Sequence, residues 1–308
     1  MDAAETCIFR QAWWIEALSD GNEWGEIQIE LKTGQEARLS YLIKKQFGFK
    51  ILTMPALTQI AGPLLKGIGD GGSRNLGIEK DLYYELIDKL PPHDVFNQNF
   101  HWSVTNWLPW YWKGFKQSTR YTYRLNDISN PDDLFKNFMP NIKSDIKKAI
   151  KRYSLKIHSD HNVDRFLDLN EMTFKRQGKK LPYSRELIRN LDSACAERNC
   201  RKIFFAEDPE GKIHAALYIV WDENSAYYLM GGGDPELRTS GATSLAMWEA
   251  IKFASTITKS FDFEGSMLES VERFFRGFGA TQTPYFAVYK IKNFALYLFH
   301  HAYLYFKK

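Results

Sequence analysis

Cysteine is scarce in this chain of 308 residues, where Cys7, Cys195 and Cys200 form no even set. A sparse, odd complement in a chain long enough to bury a large core excludes a disulfide-stapled scaffold and fits a reducing cytosol. Cys195 and Cys200 stand five apart with no second pair and no histidine beside them. No zinc site is built from that spacing, so both read as helix residues and no metal is expected. Long apolar runs are missing too. No stretch reaches the roughly 18–20 apolar residues that cross a bilayer, the nearest approach being Phe294 to Phe306. The opening MDAAETCIFRQAWW has neither a basic n-region nor an apolar h-region, so a secretory signal is not expected. A cytoplasmic protein is the expectation, with the inner membrane surface as its alternative address.

Excess charge of one sign is small. Lys and Arg number 41 against 37 Asp and Glu, a net charge of +4. That is too mild for a dedicated nucleic-acid binder, but leaves room for a local cationic patch that meets phosphates. There is no internal repeat of 20–50 residues. No Ser-His-Asp order with elbow glycines occurs, and His214 sits inside an apolar strand where a structural role fits it. The glycine-rich stretch Gly67 to Gly77 precedes no Lys-Ser or Lys-Thr pair, so it reads as a loop and not a nucleotide cradle.

Aromatic rings, in contrast, are plentiful: 9 Trp, 16 Tyr and 22 Phe. They supply core packing or faces for a substrate. The cluster Trp107, Trp110, Tyr111 and Trp112 is assigned to a core or interdomain role, with stacking on a substrate as the alternative.

From Trp24 to Leu65 the chain reads as a β-hairpin, with EIQIEL, a turn at Lys32 to Gln35, and the mixed alternation of ARLSYLIKKQFGFKIL. A helix from Ile78 to Leu90 ends at Pro91-Pro92. Strand-like DVFNQNF and TRYTYRL follow, and Ser129-Asn130-Pro131-Asp132 signals a helix start. The boundary is placed there, giving halves 1–127 and 128–308. A long helical stretch, FKNFMPNIKSDIKKAIKR, carries Pro140 as a kink. Beyond it the second half reads as a short strand SLKIH, a helix pair over 163–177 and 185–198, and three strands over 201–230. A helix with Met247, Ala250, Ile251 and Ala254 on one face comes next. The strand SFDFEG, a helix around VERFFRGF, the strand YFAVYKI and a final apolar helix complete it. The fold class is α/β (α+β).

The turn GDPELRTSGATS, between the strand AYYLMGG and that helix, joins free backbone amides to a helix dipole. Arg238, Gly241, Ala242, Thr243 and Ser244 are suited to a phosphate, since glycine admits close approach and Arg grips phosphate oxygens. An ordinary capped helix is the competing reading. Asp262 and Glu264 lie two apart in a strand and so are expected on one face, where like charges make a base or bind an amine. Their alternative is a salt-bridged strand end. Tyr285 is either a proton donor to a leaving group or a core tyrosine. The segment 141–152 sets Lys143, Lys147, Lys148, Lys151 and Arg152 against Asp145 alone. The i, i+4 spacing of Lys143, Lys147 and Lys151 makes a cationic stripe, to be met by a phosphorylated substrate or by water.

The run Arg238-Thr239-Ser240-Gly241-Ala242-Thr243 resembles the acyl-CoA loop of GNAT acyltransferases, departing from it at Thr243. The strand end Asp262-Phe263-Glu264-Gly265-Ser266 and the segment Arg273-Phe274-Phe275-Arg276-Gly277-Phe278-Gly279-Ala280 resemble the Fem-like, peptidoglycan-bridge aminoacyltransferase branch. So do Asn141 to Ala149, Phe174 to Gly178, and Gly114-Phe115 with Thr122-Tyr123. Phe275 stands where many members carry Lys, leaving Arg276 as the substitute cation. The resemblance implies two GNAT-like halves, each a mixed, mainly antiparallel sheet flanked by helices. It implies transfer of an acyl or aminoacyl group to an amine of a cell-envelope or glycan precursor. Asp262, Glu264, Tyr285 and Arg276 are then the catalytic candidates, and Lys143, Lys147 and Arg176 the substrate-binding ones. The co-substrate is an acyl-CoA or an aminoacyl-tRNA, with no permanently bound cofactor. Two alternatives stand beside it: an acyl-CoA-dependent N-acetyltransferase acting on a nucleotide sugar or lipid intermediate, and an inactive GNAT fold that only binds. The last helix, NFALYLFHHAYLYFKK, is read as packed, with a peripheral membrane contact or a dimer contact as alternatives.

Overall fold

The computed structural model describes residues 7–69, 72–265, 267–292 and 296. The final helix expected from the sequence lies outside the described residues, Leu296 excepted. Two compact units divide the chain. The first comprises Phe9–Arg120 with Pro284–Lys308, and the second Met1–Ile8 with Tyr121–Thr283. This differs from the expected halves in two ways. The boundary falls at 120/121 and not 127/128, and the segment from Pro284 onward belongs with the N-terminal unit. The reason is that two strands, β6 (Lys116–Leu125) and β12 (Thr281–Ile291), each begin in one unit and end in the other.

The N-terminal unit holds α1 (Ala12–Ala17), β1 (Glu23–Glu30), β2 (Glu36–Gln46), β3 (Phe49–Thr53), β4 (Leu64–Lys66), α2 (Ser73–Asp88), β5 (Val95–Asn99) and α3 (Leu108–Trp112). Its strands run in the order β1-β2-β3-β5-β12, with β4 added to β2. All these pairs are antiparallel except β3 with β5. The apolar run read as one segment breaks at Phe47-Gly48, both in left-handed conformation, which turns β2 into β3. Helix α2 packs Leu82, Tyr83 and Leu86 on the sheet and stops ahead of Pro91, whose preceding residue resists helical geometry. Of the aromatic cluster, Trp110 is fully buried, edge-on to Phe115 at 4.9 Å, whereas Tyr111 and Trp112 are exposed.

The C-terminal unit continues with α4 (Pro131–Asn137), α5 (Pro140–Lys151), β7 (Lys156–His158), α6 (Val163–Arg176), α7 (Arg185–Glu197), β8 (Arg201–Glu207), β9 (Ile213–Trp221), β10 (Ser225–Gly233), α8 (Ala242–Ala254), β11 (Ser260–Asp262) and α9 (Glu269–Arg276). The strand order is β6-β11-β10-β9-β8-β7. Only β10 with β11 is parallel. Strand β9 is buried on both faces, hence its apolar run from Ala215 to Val220. Leu217 and Ile219 face α8, while Tyr218 meets Phe166 of α6. Pro140 does not kink a helix. It occupies the first turn of α5, where a missing N–H costs nothing, and α4 is a separate helix capped by Asn130. Cys195 is helical, but Cys200 lies between α7 and β8. His214 is buried in β9, its Nε2 3.2 Å from Asp208 Oδ2, a structural contact.

Candidate functional site

The C-terminal unit opens where two parallel strands part. Strand β11 pairs with β10 only along Ser225 to Tyr227, opposite Ser260 to Asp262. Beyond Tyr227, β10 runs on to Gly233, and a bulge at Leu229 shifts its register on β9. Bulges re-aim neighbouring side chains and end pairing, which is what a cleft between strands needs. On the other strand, Phe263 N–H bonds Tyr123 O at 2.9 Å, and Glu264 and Gly265 then adopt left-handed conformations that turn the chain away.

Helix α6 lies against the free part of β10. Asn170 Nδ2 donates to Gly231 O at 2.6 Å, and Thr173 Oγ1 accepts from Gly233 N at 3.0 Å. The triple glycine is explained by this approach, because a Cβ on Gly232 would strike the backbone of Leu169 and Asn170. Tyr183 O–H donates to Asn170 Oδ1 at 2.8 Å, completing a part-buried chain from the α6–α7 connection to the strand.

Two carboxyls stand at the end of β11. Asp262 is fully buried, accepts from Thr122 Oγ1 and from Glu264 N at 2.8 Å, and lies 3.6 Å from Arg124 Nε. Burial outweighs these contacts and pushes its carboxyl up to about 6. Glu264 is raised well above the usual carboxylate range, by burial first and by the charge of Asp262 second. The expectation that both carboxyls share one strand face is corrected. The strand ends at Asp262, and Glu264 sits on the turn beyond it at φ 55.

Tyr228 follows Tyr227 on β10, within reach of the charges of both Glu264 and Tyr183. Its ring meets Phe275 edge-on, centroids 5.9 Å apart, and its hydroxyl occupies the place that a Cβ on Gly231 would take. Burial raises its phenol above the ordinary value, and the charges of Tyr183 and Glu264 add to this. Tyr183 is pushed up to about 12 by burial. Both phenols therefore stay protonated at neutral pH.

The loop after β10 leads through a tight turn, Arg238–Ser240, into α8. Arg238, Thr239 and Thr243 are exposed, whereas Ser240, Ala242 and Ser244 are buried. Gly241 has φ 82, and a Cβ there would collide with the Asp145 carbonyl of α5. Ser240 Oγ accepts from Ala242 N at 3.4 Å, and the first helical bond is Leu245 N to Gly241 O. The amides of Thr243 and Ser244 have no protein partner among the described residues, so α8 presents two donors and its positive dipole end.

The other expected residues are dispersed. Tyr285 is buried in the N-terminal unit and shares no compact unit with Asp262 and Glu264. Arg276 is exposed on α9 and bound to Glu272 at 2.8 Å, an i, i+4 pair that explains it without catalysis. Phe275 is a core residue, 4% exposed and packed on Phe263 at 5.2 Å. The lysine stripe is incomplete, because Lys143 Nζ turns back to Lys136 O at 2.7 Å, while Lys147 and Lys151 are exposed. Arg176 ends α6, exposed, one turn beyond Thr173. Tyr228, Tyr183 and Asn170 escaped the sequence reading. A signal for Asn170 existed, a polar residue on the apolar face formed by Phe166, Leu167 and Leu169.

Residues 136–274, which include Asn170, Tyr183, Tyr228, Asp262 and Glu264 but neither Thr122 nor Phe275, match the family model described as an acetyltransferase (GNAT) domain. No curated protein matches the sequence. Among solved structures, FemX is similar with a TM-score of 0.67 and 14% identity over 91% of this chain and 91% of that one. The C-terminal domain of a putative lysylphosphatidylglycerol synthetase from Agrobacterium fabrum has a TM-score of 0.58 and 11% identity over 96% and 89%. L-PGS from Bacillus licheniformis has a TM-score of 0.54 and 10% identity over 93% and 94%. At such identities the likeness is one of fold. Residues 136–274 thus resemble a GNAT acetyltransferase domain, within a chain whose fold is similar to that of FemX.

Proposed function

We propose that the protein transfers an acyl or aminoacyl group from a phosphorylated donor to an amine of a cell-envelope or glycan precursor. The observations that carry this reading are the parting of β10 from β11 beyond Tyr227, the raised Glu264 carboxyl just past β11, and the uncapped start of α8. Phosphate oxygens of the donor take the Thr243 and Ser244 amides and Arg238. The acyl carbon then lies in the opening, and Glu264 receives the proton that the attacking amine loses. A carboxyl held above its usual range by burial is a stronger base than an exposed one, as proton abstraction near neutrality requires. No nucleophilic serine or cysteine is needed for such a direct transfer.

The resemblance to Fem-like enzymes and the fold shared with FemX and the lysylphosphatidylglycerol synthetase domain support an aminoacyl donor and an envelope acceptor. The GNAT domain match supports acyl-CoA. The described helices include none long and apolar enough to cross a membrane, so a lipid-linked acceptor would be met at a surface.

The test is transfer of label by the purified protein from acetyl-CoA, from longer acyl-CoAs and from a mixed aminoacyl-tRNA pool, with extracted envelope precursors as acceptors. Transfer from one donor class, reduced about 100-fold in kcat by Glu264→Gln and weakened in donor binding by Arg238→Ala, is the expected result. Absence of transfer from every donor overturns the reading.

A further inference from the structure

We infer that Tyr228 is a catalytic residue, its hydroxyl donating a hydrogen bond to the acyl carbonyl oxygen as negative charge develops there. This rests on the acyl-transfer reading above. Four observations on the C-terminal unit converge on it.

The first is position. Tyr228 is the first residue of β10 past the last pair with β11, so it stands at the mouth of the opening and immediately before the bulge. The second is availability. Tyr183 spends its hydroxyl on Asn170 and Tyr227 spends its own on Asp222, at 2.8 and 2.9 Å. The Tyr228 hydroxyl makes no hydrogen bond to any described residue, although the residue is half-buried. A buried or half-buried hydroxyl ordinarily finds a partner, and one left open in a cleft is placed for a ligand.

The third is rigidity. Phe275 meets the ring edge-on, and Phe275 is itself wedged against Phe263 and Phe274. The side chain thus has a firm backing on its apolar side, and a preorganised donor needs no rearrangement as charge grows. The fourth is the space left for the hydroxyl. It lies over Gly231, where any side chain would displace it. The carbonyl of that glycine is pinned by Asn170, so strand and hydroxyl are held in one place. The raised phenol keeps the group in its donating O–H form at neutral pH.

The amine lone pair forms the C–N bond, and the carbonyl π pair moves to oxygen, where the Tyr228 O–H meets it. The pair returns to re-form the carbonyl, the bond from carbon to the donor sulfur or oxygen breaks, and the leaving atom keeps that pair. The amine proton passes to Glu264 and then to the leaving atom. Tyr228 neither gains nor loses a proton.

Two variants test this on the full chain. Tyr228→Phe removes the donor, and Gly231→Ala keeps it but pushes it aside. Each is expected to lower kcat about 100-fold, the effect of losing one such donor, with KM for the donor within threefold and unfolding temperature nearly unchanged. Replacing Tyr228 by 3-fluorotyrosine, a more acidic phenol, moves the alkaline limit of the kcat profile to lower pH, which a packing role would not do. Retention of kcat within threefold by both variants overturns the proposal while leaving acyl transfer intact. A wild-type protein that transfers from no donor overturns both.

Discussion

The backbone N–H of Glu264 donates to Oδ1 of Asp262 over 2.8 Å, so one buried carboxyl holds the peptide that carries the other. Asp262 is raised to about 6 by burial, from an unfolded value near 3.8. Between these values the native state binds more protons than the unfolded one, so stability is fully present below about pH 4 and falls as pH rises through 6. The fall attributable to Asp262 amounts to about 3 kcal/mol. Glu264, raised for similar reasons, acts in the same direction. Urea unfolding at pH 4.5 and 7.5 checks this, with Asp262→Asn expected to flatten the dependence. A steeper slope in that variant contradicts the assignment.

Asn170 joins Tyr183 to the Gly231 carbonyl from a site only 2% exposed. Asn170→Ala strands two polar groups in the interior and is expected to cost about 2–3 kcal/mol. Chemical denaturation measures it. Asn170→Asp, which keeps the acceptor for Tyr183 but loses the donor to Gly231, separates the two bonds.

Gly241 combines a left-handed backbone with contact against the Asp145 carbonyl. Gly241→Ala is expected to destabilise by about 2–3 kcal/mol through backbone strain, and more if α5 cannot yield. Thermal unfolding reads the loss. Because α5 and α8 meet there, donor binding measured by calorimetry should fall in parallel.

Phe275 occupies the position at which the Fem-like resemblance favours lysine. Here it is enclosed by Phe263, Phe274 and Tyr228. Phe275→Lys removes an aromatic core residue and buries an unpaired cation, a loss on the order of 3–5 kcal/mol. Soluble yield and unfolding temperature should both drop. A variant as stable as the parent would show that an ammonium finds a polar outlet there.

Much of the C-terminal unit was legible in the sequence because its elements are strongly patterned. The helix pair α6 and α7, the three strands β8 to β10 and the turns between them stand close to where apolar period and turn residues place them. The loop from Arg238 into α8 was also legible, since the left-handed backbone of Gly241 is a local reason for glycine, although the Asp145 carbonyl that it admits is not. What could not be read is non-local. Gly231 and Gly232 read as the end of a strand, yet nothing local marks the close approach of α6 that requires Gly232 to lack a side chain. Glu264 shares the alternation of Asp262 in sequence, but the chain leaves the strand between them. Tyr285 follows the acyltransferase motifs directly and still belongs with the N-terminal unit, because its strand pairs with β5.

That last strand reverses the order in which the two units can be finished during synthesis. The N-terminal unit lacks β12, which supplies Val288 to its core and pairs along β5 from Val95 to Asn99, until the segment through Ile291 has been made. The C-terminal unit has all its segments by Thr283, including Ile8, whose amide reaches Asp222 at 3.1 Å. On the ribosome the unit whose bulk lies later in the sequence is therefore the first able to close, while most of the other waits with an unpaired β5 edge. Such an edge is a surface for misassociation, and truncation within 284–292 would expose it permanently.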